Sequence, residues 1–74
     1  MARVLHILKG EHAAQAIAVI EPQVAAGDAV TVALLADAEA PALPAGIRVR
    51  HIPGDTSYDE LLTLIFEADS VVTW

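Results

Sequence analysis

Apolar and polar positions change period several times along the 74-residue chain, and each change marks an element. The run RVLHIL (3–8) is short, β-branched and aliphatic, the pattern of a strand buried on both faces of a parallel sheet. AVTVALL (29–35) repeats that pattern. Between them, EHAAQAIAVIEPQVAA (11–26) reads as a helix with Ile17, Ile20 and Val24 on one face and small alanines around them. Pro22 is expected to kink this helix or open its last turns, and Gly27 to end it. Strand, helix and strand make a βαβ unit, whose crossover should be right-handed.

ADAEAPALPAG (36–46), with two prolines and a glycine, reads as a loop holding at most one helical turn. IRVRHI (47–52) alternates, with Ile47, Val49 and His51 on one side and Arg48 and Arg50 on the other, as in a strand with one face partly wet. PGDTSYDE then opens a second helix, in which Ser57 and Glu60 fit a capping box. That helix is expected to run to about Ala68, leaving SVVTW as the last strand. The predicted architecture is α/β: a small, mostly parallel four-stranded sheet flanked by helices, one domain over 1–74. The 3–8 strand should be central and the 47–52 strand more exposed.

The second helix carries more apolar surface than one core face needs. Tyr58, Leu61, Leu62 and Ile65 form an inward stripe, with Leu64 on one side of it and Phe66 on the other. The polar face is left to Asp59, Glu60, Thr63 and Glu67. Phe66 either tucks against the sheet edge or meets another subunit. With Trp74 at the end of the last strand, Leu64, Phe66 and Trp74 form the candidate subunit interface.

Composition narrows the function classes. Hydrophobic residues make up 55 % of the chain, yet a domain of this size leaves apolar surface that an oligomer commonly covers. The formal charge is −6, and the basic residues are Arg3, Lys9, Arg48 and Arg50 alone. That balance argues against direct nucleic-acid binding, which needs a positive field against phosphates. The chain has no cysteine, which removes disulfides, thiolate metal sites, a cysteine nucleophile and any persulfide of its own. No apolar run reaches membrane-spanning length, and RVLHIL follows the start without a small-residue cleavage site. A soluble cytoplasmic protein is the simplest expectation.

The motifs that bear on chemistry are few. LKGEH (8–12) follows the first strand, at the sheet end where open α/β sheets bind ligands. There Gly10 permits close backbone approach, Lys9 offers a charge and His12 an imidazole, so Lys9, Gly10 and His12 are the candidate partner or anion contact. The plainer reading is a β–α turn, because neither GxGxxG nor GxxxxGK[ST] is present. His6 and His51 would approach each other if their strands were neighbours, but no HxxxH or HxH spacing supports a metal site, and buried, hydrogen-bonded histidines are the simpler account. Ser57, Ser70 and Thr73 lack an adjacent base, so no catalytic residue is assigned. Asp55, Asp59 and Glu60 read as a negatively charged helix start. No cofactor is expected.

The stretch SYDELLTLIFEADSVVTW (57–74) resembles the C-terminus of the TusB/DsrH family of sulfur-relay proteins. Members finish with an Asp/Tyr-rich turn, an aliphatic helix, a polar step, two aliphatic residues, a small hydroxyl residue and tryptophan. LHIL (5–8) is similar to the family's opening Leu-His strand, and AAGDAVTVALLADAEA (25–40) to its Gly-Asp turn, strand and following acidic residue, here Asp37. The resemblance implies a DsrE-like α/β domain and a cytoplasmic hexamer with TusC/TusD-like or DsrE/DsrF-like partners. Those complexes pass persulfide sulfur toward tRNA wobble-uridine thiolation or sulfur oxidation. This chain is shorter across 36–57 and has no cysteine near Val19 to Glu21, where some members carry one. An adapter subunit, rather than a sulfur carrier, is the role implied. MARVLHILKG (1–10) is also similar to the opening of nucleotide-sugar glycosyltransferases, which leaves a small nucleotide- or anion-binding module as the alternative.

Overall fold

The computed structural model describes residues 2–10, 12–35, 43, 45–52, 54 and 56–74. The 36–42 part of the predicted loop, with Asp37, lies outside the described residues, as do Glu11 and Asp55. The elements run β1 (Arg3–Leu8), α1 (Ala13–Ala25), β2 (Ala29–Leu35), β3 (Arg48–Ile52), α2 (Tyr58–Glu67) and β4 (Ser70–Thr73). The four strands form one all-parallel sheet in the order β3-β2-β1-β4, so the architecture is the α/β one expected. β1 lies between β2 and β4, and β3 is an edge strand that buries only Ile52 fully.

Register explains how one apolar strand serves two layers. Val4 and Leu8 of β1 join Val30, Val32 and Leu34 of β2 beneath Ala16 and Ile20 of α1. Leu5 and Ile7 point to the opposite face, where Ala33 and Ile52 join them beneath α2. Each fully buried Leu, Ile or Val contributes about 1.5–3 kcal/mol. The α1 layer holds most such side chains, while α2 has no fully buried residue and is held by partial burial.

The inward stripe of α2 is Leu61, Leu64 and Ile65, continued by Ala68. This corrects the expected stripe, because Tyr58 and Leu62 are 60 % and 54 % exposed. The sets 58-61-62-65 and 61-64-65-68 have the same helical spacing and share Leu61 and Ile65. The second brings the small Ala68 against the sheet and leaves the Tyr58 hydroxyl in water.

The caps follow the sequence closely. Ser57 is the N-cap of α2, and its Oγ accepts from the Glu60 N–H at 3.2 Å while meeting the Glu60 carboxylate at 3.3 Å. α1 continues through Pro22 to Ala25. It then closes with paired bonds, Gly27 N–H to the Val24 carbonyl and Asp28 N–H to the Gln23 carbonyl, both 3.0 Å. This closure needs φ +87° at Gly27, where an added Cβ would meet no atom within 4 Å. Gly27→Ala is therefore expected to destabilise the fold by about 1–2 kcal/mol through backbone strain alone. Urea denaturation followed by circular dichroism measures this, and an unchanged midpoint would contradict it.

Asp28 and Asp69, each directly before a strand, pin the start of β1 from its two sides. Asp28 Oδ1 accepts from the Ala2 N–H at 3.3 Å, and Asp69 Oδ2 accepts from the Arg3 N–H at 2.8 Å. The return bonds run from Ala29 N–H to the Ala2 carbonyl and from Asp69 N–H to the Arg3 carbonyl, both 2.8 Å. These four bonds fix the register of the two strands that flank β1.

Candidate functional site

In the order β3-β2-β1-β4 the chain winds outward from β1 in one direction and then crosses to its other side. The reversal puts a topological switch point at the carboxyl ends of β1 and β4, the position where open α/β sheets bind ligands. Lys9 and Gly10, both exposed, follow β1 there, with Gly10 at φ +99° turning the chain toward α1. His12 is the N-cap of α1, but its side chain makes no capping hydrogen bond, and the first turn has no acidic residue. His12 thus leaves the leading amides of α1 uncapped by its own side chain, at the positive end of the helix dipole. Lys9, Gly10 and His12 are thus gathered at one place, the exit of β1.

Trp74 follows β4 at the same end of the sheet. Its backbone N–H donates to the Ile7 carbonyl at 2.9 Å, which carries the β4 pairing past Thr73. Its indole Nε1–H donates to His6 Nδ1 at 3.0 Å, and His6 Nε2 lies 2.7 Å from Gln23 Oε1. An indole N–H can only donate, so Nδ1 is the acceptor; Nε2 then carries the hydrogen and donates to Gln23. The ring centroids are 6.2 Å apart with planes within 15°, the geometry of two rings joined edge to edge by the hydrogen bond rather than stacked face on face. His6 is fully buried and yet has both ring nitrogens satisfied. Sequence reading gave His6 a buried, hydrogen-bonded role but did not name its partners. The 68 positions that separate it from Trp74 carry no local signal.

Other predicted residues are kept apart. β2 lies between β1 and β3, so His6 and His51 are not on neighbouring strands, and His51 is exposed. Among the described residues no three His, Asp or Glu side chains gather as a metal site. Leu64 packs into the cluster beneath α2, whereas Trp74 packs into the cluster beneath α1 on the opposite face. Phe66 stands 87 % exposed on the outer side of α2. The three candidate interface residues therefore do not make one patch. What sequence reading missed is a stripe at intervals of four, Tyr58, Leu62 and Phe66, all exposed on one face of the helix.

The fold is a small, doubly wound, all-parallel α/β domain with a topological switch point between β1 and β4. No protein-family model, curated protein or solved structure matches the chain. Among the described residues no helix is long and apolar enough to cross a membrane.

Proposed function

We propose that this chain is a non-catalytic subunit of a cytoplasmic sulfur-relay assembly of the TusB/DsrH kind. It would support persulfide transfer between cysteine-bearing TusC/TusD-like or DsrE/DsrF-like partners, toward tRNA wobble-uridine thiolation or sulfur oxidation. The observation that carries this reading is the Tyr58–Leu62–Phe66 stripe, a row of large apolar side chains that a small domain buries by association. Two further points support it. The Leu-His strand and the tryptophan on which the resemblance rests meet in the His6–Trp74 hydrogen bond, as parts of one unit. The absence of cysteine leaves the chain an organising role beside subunits that hold the sulfur.

Co-expression with cysteine-bearing relatives of these classes, followed by native mass spectrometry, tests the reading. A mixed oligomer is expected, and so is transfer of sulfur from a cysteine desulfurase to the partners while this chain stays unlabelled. A stable sulfur adduct on this chain, or failure to join any of those partners, would reject the proposal.

A second reading is favoured by the switch point after β1: a small nucleotide- or anion-binding module using Lys9, Gly10 and His12. Lys9 beside the uncapped start of α1 supplies positive potential at the switch point. Titration with a nucleoside diphosphate separates the two readings, because only the second expects shifts confined to the amides of residues 9–15.

A further inference from the structure

Strand alternation places three of the four basic residues on one face of the sheet. Arg3 shares its side of β1 with Leu5, and Arg48 and Arg50 share theirs with Ile52, all toward the α2 layer. On β2 the same face shows Ala29, Thr31 and Ala33, side chains too small to fill the space between α2 and β3. The result is an open groove of about 490 Å³ at the amino ends of β1, β2 and β3, with Leu64, Glu67 and Ala68 of the α2 end along one wall. It lies at the opposite end of the strands from the Lys9–His12 turn.

We propose that this groove is a binding site for a small ligand with a carboxylate or phosphate group on a compact apolar body. Its volume falls in the range of small-molecule sites. Register puts Thr31 opposite Arg48 and Ala29 opposite Arg3, so the two arginine Cα atoms are about 12 Å apart across two strand spacings. Side chains of this length can reach toward Thr31 from both sides, and two guanidinium forks with a hydroxyl suit an oxyanion. Among the described residues neither guanidinium makes a hydrogen bond or ion pair. Leu64 and Ala68, both partly exposed, supply apolar surface for the rest of the molecule. The nearby carboxylates fix the polarity of binding. Asp69 is engaged by the Arg3 backbone N–H, while Glu67, on the α2 wall, turns the anionic group toward β3.

The test is amide-resolved NMR titration with benzoate, with inorganic phosphate and with benzylamine as the cation of matching body. Benzoate or phosphate is expected to shift amides within 3–5, 29–31, 46–48 and 64–68, and benzylamine to leave them in place. Phenyl phosphate, which shares the benzoate body, then ranks the head groups: binding weaker than that of benzoate assigns the ligand as a carboxylate, and stronger binding assigns it as a phosphate. Arg3→Gln and Arg48→Gln should each weaken binding about tenfold. Arg50→Gln, the same charge change on the same face outside the groove lining, should weaken it by less than about twofold. The proposal is overturned if neither anion shifts those amides, if benzylamine binds as well, or if Arg50→Gln weakens binding as much as Arg48→Gln. None of these outcomes bears on subunit assembly through α2.

Discussion

Trp74→Phe is expected to lower folding stability by about 1–3 kcal/mol, although it deletes one N–H and part of a ring. The cost falls on His6. Its Nδ1 accepts only from the Trp74 indole, and the residue is fully buried between β2 and β4. Moving the ring hydrogen from Nε2 to Nδ1 does not rescue it, because Nδ1–H would then need an acceptor that the phenyl ring cannot supply. For a domain of this size the loss corresponds to a melting midpoint lower by roughly 10 °C. The double variant His6→Leu/Trp74→Phe should recover part of it, since two apolar side chains leave no buried acceptor and the half-buried Gln23 amide can turn to water. Urea denaturation followed by circular dichroism gives the four stabilities of the cycle. A Trp74→Phe protein within about 0.5 kcal/mol of wild type, or strictly additive variants, would show that the hydrogen bond does not hold β4 to the sheet.

The His6–Trp74 pair also marks where sequence reading stops. Local chemistry was legible: the unbroken aliphatic runs of β1 and β2, the alternation that makes β3 half wet, the Ser57–Glu60 cap and the Gly27 stop each depend on residues a few positions apart. The central place of β1 and the exposure of β3 were read from composition, but which strands neighbour β1 was not written at that range. Only with β2 set between β1 and β3 does His6 separate from His51, and only with β4 on the far side of β1 does it meet Trp74. The α2 stripe failed for a related reason. Two equally spaced sets of apolar residues compete on that helix, and the sheet face beneath decides between them. Ala33 there is small, while Leu5 and Ile7 stand up from β1, so Leu64 turns inward beside Leu61 and Ile65. The candidate site was half legible in the same sense. Lys9, Gly10 and His12 were found from their turn, whereas the groove between Arg3 and Arg48 needs the register of three strands to exist at all.

Turning Leu64 inward has a consequence for assembly, because it leaves Tyr58, Leu62 and Phe66 outside. The wild-type chain is expected not to be monomeric at micromolar concentration, with this stripe at the contact and Trp74 not in it. β4 adds to the same side of the molecule: Val71 is 40 % exposed on the α2 face, and the SVVT edge has neither lysine nor proline to discourage strand pairing. Phe66 is the most exposed of the set, so Phe66→Glu removes nothing from the core and should leave folding stability within about 0.5 kcal/mol of wild type. Its effect on association should be far larger. An aromatic anchor at the centre of a contact is worth about 2 kcal/mol or more, which is roughly 30-fold in the dissociation constant. A carboxylate in its place adds the cost of burying a charge. Analytical ultracentrifugation of wild type, Phe66→Glu and Trp74→Phe separates the roles, with circular dichroism confirming that each is folded. Phe66→Glu should sediment as a monomer, while folded Trp74→Phe should assemble as wild type does. A monomeric wild type, or a folded Phe66→Glu protein that assembles as well as wild type, would remove the stripe as the contact surface and with it the observation on which the subunit role rests.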